Sequence, residues 1–313
     1  MIKRLALVCV VAACGTNGPD YIAGFDPPPV QAGYTRYVTP PVEDIKPGDN
    51  VEYCQWVAPA ADEDQDVVGF DGLQSATGHH AILFATSETN FKVGESHICT
   101  TDDMLSVSYM GAIAGTNGQS LSSLPDGLFF RLHKGQAVLV NTHWLNATDN
   151  TVEGQAVVDV KLTPADPSRT VADVFANNGD TFTIPPGDPT SYDVNCVFQQ
   201  DMNFAMVANH MHSAGLSAYT EVLHTDGTST MLRQDSGWTQ DEQFNPVYTM
   251  YSLASPYVVH AGETMHSHCE WQNPGQSTLM FPDEMCAGNG FYFPGNGLFA
   301  CEDGQWGLST QVD

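Results

Sequence analysis

Apolar positions along this chain fall in short runs or alternate singly with polar ones, and few long stretches keep a 3.6-residue spacing. Alternation with a period of two is the mark of a half-buried strand, because successive side chains point to opposite faces. Segments rich in Val, Ile, Thr, Phe and Tyr carry it: HAILFAT (80–86), GLFFRL (127–132), QAVLVNTHW (136–144), AVVDVKLT (156–163), TFTI (181–184), FAMVANHMH (204–212) and YTEVLH (219–224). Turn pairs at Asp71-Gly72, Asn117-Gly118 and Asp226-Gly227 separate several of them. The pattern predicts an all-β protein built from antiparallel β-sandwiches or jelly rolls. At LTPADPSRT (162–170) a strand gives way to a Pro- and Asp-rich link. That link divides the chain into two sandwich domains, 34–165 and 166–313.

Composition narrows the function. The chain has 313 residues, 37 acidic against 10 basic, and a net charge of −27. Nucleic acid and anionic membrane surfaces both require a Lys/Arg footprint, which this balance excludes. ADEDQDVVGFDG (61–72) concentrates five acids but lacks the spacing and terminal Glu of an EF-hand loop, so it reads as a solvated loop.

The first residues read as an export signal. Lys3 and Arg4 precede an apolar run, Leu5 to Ala13, too short to span a bilayer. VAAC then places small residues before Cys14, which resembles the lipobox of bacterial lipoproteins. On that reading 1–13 is a signal peptide, Cys14 carries the lipid, and 14–33, rich in Gly, Pro and Asp, is a linker. The protein is then an outer-membrane lipoprotein facing the periplasm or the cell surface, touching the membrane only through its lipid. A plain secretory signal is the alternative, and both mean export. Six further cysteines (Cys54, Cys99, Cys196, Cys269, Cys286 and Cys301) fit three disulfides, with the pairing open on composition alone.

Eleven histidines hold the candidate chemistry. His210 and His212 are two apart, so on a strand both face one side, about 6.5–7 Å apart, with Met211 turned into packing. They read as a pair of metal ligands or as a polar strand face. His79 and His80 are adjacent and would point to opposite faces of a regular strand. A bulge or strand start, which Gly78 permits, would bring them together. His143 closes an apolar strand. Met285, beside Cys286, offers a soft thioether that prefers Cu(I), while imidazole serves copper in both oxidation states.

In order and spacing these motifs resemble the copper type II, ascorbate-dependent monooxygenases, the family of peptidylglycine α-hydroxylating and dopamine β-monooxygenases. The series is H-H before an apolar strand, a lone His closing a strand, H-x-H, then D-E-M-C, supported by VEYCQWV, TFTIPPGD, DVNCVFQQ and GETMHSHCEWQN. The similarity runs from about Tyr34 to the C-terminus. It implies two jelly-roll domains across a cleft and two copper ions. His79, His80 and His143 would hold an electron-relay copper on the first domain. His210, His212 and Met285 would hold the catalytic copper on the second. It also implies the disulfides Cys54–Cys99, Cys269–Cys286 and Cys196–Cys301. The chemistry implied is hydroxylation of an activated C–H bond of a small molecule by O2, with ascorbate or another external reductant.

Departures bear on the substrate. Peptide-amidating members carry an arginine where this chain has Ala208, and the segment after D-E-M-C is Ala287, Gly288 and Asn289, with Tyr292 nearby. Glycine-extended peptides are therefore excluded as the expected substrate, and a neutral or cationic small molecule suits the acidic chain better. Two other functions fit the same residues: a copper-binding lipoprotein for storage, delivery or sensing, and a metal-free surface sandwich. His266 and His268 form a second H-x-H outside the family pattern, read as a polar strand face or a third metal site. His97, His133, His224 and His260 have no partner legible in the sequence.

Overall fold

A computed structural model describes residues 21–309, apart from 89, 101–102, 105–106, 117–118, 121–123, 244–245 and 282. The signal peptide, Cys14 and the Asn117-Gly118 turn lie outside the described residues.

The fold is all-β. Each of the seven predicted segments contributes a strand: Gly78–Thr86, Leu128–Leu132, Ala137–Leu145, Ala156–Pro164, Thr183–Ile184, Met202–His210 and Gly215–Leu223. Among the described residues, the N-terminal strands form a five-stranded and a six-stranded sheet, which pack face to face. The C-terminal strands form a sheet centred on Met202–His210, Cys286–Phe293 and Asp173–Gly179, stacked on the four-stranded sheet Thr190–Val197, Thr264–Trp271, Gly215–Leu223 and Ser229–Ser236. Among the described residues, the named strands pair antiparallel except where Thr170–Val171 joins Leu128–Phe129 and where Asp173–Gly179 joins Leu298–Glu302. Thr170–Val171 still pairs within the first sandwich, so pairing changes partner at Ala172.

The burial patterns follow from the two-residue period. Thr264–Trp271 alternates half-buried and buried residues, with Met265, Ser267, Cys269 and Trp271 inward. Ala137–Leu145, at the centre of its sheet, is buried on both faces, which is why it reads as a continuous apolar run. The three disulfides are Cys54–Cys99, Cys196–Cys301 and Cys269–Cys286.

Two local expectations are corrected. Asp226-Gly227 does turn between two strands, with Gly227 at φ 85°, but Asp71-Gly72 lies inside the strand Gln65–Gln74. The same strand replaces the expected solvated loop. Its Asp66 is buried, bound by Arg131 Nε at 2.7 Å and Arg169 NH1 at 3.1 Å. Burial works against the Asp66 charge, yet these bonds and the Asp166 amide hold its carboxyl below the usual range.

The two sandwiches share one apolar cluster. Phe291 of the second packs on Tyr109 and Phe130 of the first, at ring-centroid distances of 5.5 and 5.1 Å. Ala205, Met206, Ala208 and Phe293 join the same cluster.

Candidate metal centre

Gly78–Thr86 and Ala137–Leu145 are antiparallel neighbours. His80 pairs with His143, but the next pair is Gly78 with Trp144, so His79 is the extra residue of a bulge. A Cβ at Gly78 would stand 2.3 Å from Gln74 Cβ, so the tight bend there excludes a side chain. The bulge turns adjacent histidines to one place. Ring centroids lie 5.9 Å apart for His79–His80, 5.3 Å for His79–His143 and 4.9 Å for His80–His143.

Neighbouring strands complete this group. Glu52 stands opposite His143 in the adjoining strand, and its carboxylate lies within 4.8 Å of ligand atoms of both His80 and His143. Its other tie is a bond from Asn141 Nδ2 at 3.0 Å. Asn50 Oδ1 accepts a hydrogen bond from His143 Nε2. An amide oxygen only accepts, so in the neutral ring Nε2 holds the proton and Nδ1 holds the lone pair.

In the second sandwich His210 is the last residue of its strand, and His212 lies in the segment beyond it. The pair therefore does not sit on one regular strand face, although the rings remain close, at 5.2 Å. Met211 is fully buried, as expected. The final register pair is His210 with Ala287, so His212 and Met285 lie two residues further on at the same end of the sheet. Glu284, fully buried, closes this end. It accepts the His212 amide at 2.9 Å and the Ala214 amide at 2.6 Å. The His212 ring donates through Nδ1 to the Asp283 carbonyl at 3.0 Å, which leaves Nε2 with the lone pair.

The electrostatics are those of neutral imidazoles. Burial pushes His80 well below the ordinary histidine value, and repulsion from His143, His79 and His210 adds to it. Burial brings His143 down to about 3, with repulsion from His79 and His212. Burial, then His212, brings His210 down to about 3. These effects cross between the sandwiches: charge on His210 opposes protonation of His80, and charge on His212 that of His143.

The remaining sequence candidates separate from this centre. Ala208 is buried in the apolar cluster between the sandwiches. Tyr292 is buried, and its hydroxyl donates to the Gly297 carbonyl at 2.6 Å while accepting from the Asn296 amide. His97, His133, His224 and His260 each face a carboxylate: Asp103, Asp64, Glu263 and Asp201. Sequence reasoning missed Asn50, Glu52 and Glu284. Glu52 carried one signal, a carboxylate two residues before Cys54 in the VEYCQWV segment that supports the resemblance.

No family model and no curated protein matches this chain. Among solved structures it is similar to the major capsid protein P2 of bacteriophage PM2, at 8% identity over 83% of this chain and 97% of that one, with a TM-score of 0.30. It is also similar to PBCV-1 VP54 fitted into the virophage Sputnik, at 8% identity over 87% and 96%, with a TM-score of 0.27. The Gx strain of infectious bursal disease virus gives 11% identity over 84% and 67%, with a TM-score of 0.21. At such scores nothing about activity follows from them.

Proposed function

We propose that this protein is an exported two-copper monooxygenase that hydroxylates an activated C–H bond of a small molecule, using O2 and an external reductant such as ascorbate. His79, His80 and His143 would hold one copper, and His210, His212 and Met285 the other. The carrying observation is that the bulge at His79 gathers three imidazoles, with ring centroids 4.9 to 5.9 Å apart, while His210 and His212 stand 5.2 Å apart in the other sandwich. The donor sets fit copper: imidazoles in both groups, with His80, His143 and His210 kept neutral by burial, and a thioether beside the second group. Copper, when bound, supplies the one-electron chemistry that lets dioxygen react with a C–H bond. The chain's own residues do the rest. Asn50 holds the His143 tautomer, the Asp283 carbonyl holds that of His212, and Glu284 ties the segment carrying Met285 to the turn after His212.

A second reading is a copper-binding lipoprotein without turnover. It is favoured by the positions that the family resemblance assigns to substrate contacts: Ala208 is packed in the core, and the Tyr292 hydroxyl is turned inward onto Gly297.

Copper content of the purified mature protein tests the site, with His210→Ala and Met285→Ala as variants. Two coppers in the wild type and one in each variant are expected. Equal content in all three proteins overturns the assignment. Incubation with ascorbate, labelled O2 and candidate amines or amides then separates the readings. Labelled product supports the enzyme, and peroxide alone supports the binder.

A further inference from the structure

The outer face of the four-stranded sheet in the second sandwich carries a separate cluster. On Thr264–Trp271, Met265, Ser267 and Cys269 point inward, so His266 and His268 point outward together. Register fixes their neighbours. Asp193 and Tyr219 flank His268, while Asn195 and Glu221 flank His266. Strands lie about 4.8 Å apart, so these side chains meet across three strands.

They meet at one atom. Asp193 Oδ1 lies 2.9 Å from His266 Nε2 and 2.7 Å from His268 Nδ1. Behind His266, Glu221 Oε1 holds Nδ1 at 3.1 Å. Tyr219 stacks on the His268 ring at 5.0 Å and 20°, and meets His266 edge-on. The other histidine–carboxylate pairs outside the candidate copper centre, such as His97–Asp103 and His260–Asp201, bring one imidazole each.

We infer that His266, His268 and Asp193 form a third metal site, selective for a divalent transition ion such as zinc, on the outer face of this sheet. Two imidazole nitrogens and a carboxylate oxygen are a borderline donor set suited to Zn2+. Glu221 on the far nitrogen of His266 makes a carboxylate–imidazole–metal chain, which fixes the tautomer and strengthens the ligand. The His266 and His268 side chains are 14% and 24% exposed and Asp193 is 53% exposed, so an ion can enter and retain a solvent ligand. Glu270 lies on the same face, accepts a hydrogen bond from Ser217 Oγ at 3.0 Å, and adds negative charge. The site is separate from the proposed copper centre and does not depend on it.

Zinc is the probe, titrated into copper-free mature protein against a chromogenic chelator. The His268→Gln variant is expected to bind one zinc fewer than the wild type, with unchanged copper content. Glu221→Gln should weaken that zinc by about 10–100-fold. Equal zinc stoichiometry in wild type and His268→Gln overturns the site and leaves the cluster as a hydrogen-bonded strand face. Should His268→Gln misfold, ring shifts of His266 and His268 in the wild-type NMR spectrum decide: they move at one equivalent of zinc, or the inference fails.

Discussion

Glu284 Oε1 accepts the Ala214 amide at 2.6 Å, tying the residue before Met285 to the turn that follows His212. The same carboxylate takes the His212 amide through its other oxygen, so one buried side chain holds both edges of the proposed catalytic group. Replacing it with Ala strands the buried Ala214 amide, at a cost of about 1–3 kcal/mol, and the half-buried His212 amide, at less. Glu284→Ala is expected to lower the chemical-denaturation midpoint and to lose the copper that Met285→Ala loses. Glu284→Gln should retain part of both. A Glu284→Ala protein with wild-type copper content would remove Glu284 from this role.

Acid should destabilise the metal-free protein through its histidines. Burial depresses His143 and His210 to about 3, while an unfolded chain keeps them near 6.5. Between those values the unfolded state binds more protons, so stability rises with pH and is lost as pH falls through that window. Thermal midpoints from pH 7 to 4 should fall more steeply for the wild type than for a His143→Gln/His210→Gln double variant. Parallel curves would contradict this.

Asn50 acts on copper without touching it in this scheme. Losing its acceptor leaves the His143 tautomer unfixed, and such outer partners are typically worth about 10–100-fold in metal affinity. Asn50→Ala should weaken copper at the first group by that order and leave the second unchanged. Competition with a Cu(I) chelator reads both.

The Asp66 carboxylate, fully buried between Arg131 and Arg169, should be among the costliest surface-distant changes. Asp66→Asn leaves two partly buried guanidiniums short of a counter-charge, a loss of about 3–5 kcal/mol, measured by urea unfolding. A loss below 1 kcal/mol, roughly the worth of a surface pair, would show that the arginines find water instead.

Strand periodicity carried most of the fold into the sequence. A two-residue period marks which side chains enter the core, and all seven segments read that way became strands. The bulge at His79 was legible because Gly78 precedes it. The disulfide pairing was not legible from spacing and came only with the family resemblance. What escaped was nonlocal. Asp66 sits among acids and reads as solvated, but its arginines lie 65 and 103 residues away. Glu52 and Asn50 gain their roles from standing beside His143 across a strand pair, 91 and 93 positions along the chain from it in register terms that no local pattern encodes. His212 left the strand because the period of two ends where Glu284 takes over the backbone.

Phe291 has a further consequence, for anyone wishing to divide the protein. Its ring fills space between Tyr109 and Phe130 of the other sandwich, with Met206 and Phe293 beside it. Cutting at Ala172 would leave each half with an apolar wound where its partner had been. The two sandwiches are therefore not interchangeable modules: a chimera that grafts either one onto a foreign mate must carry over the matching aromatic surface, or it will aggregate before any metal is added.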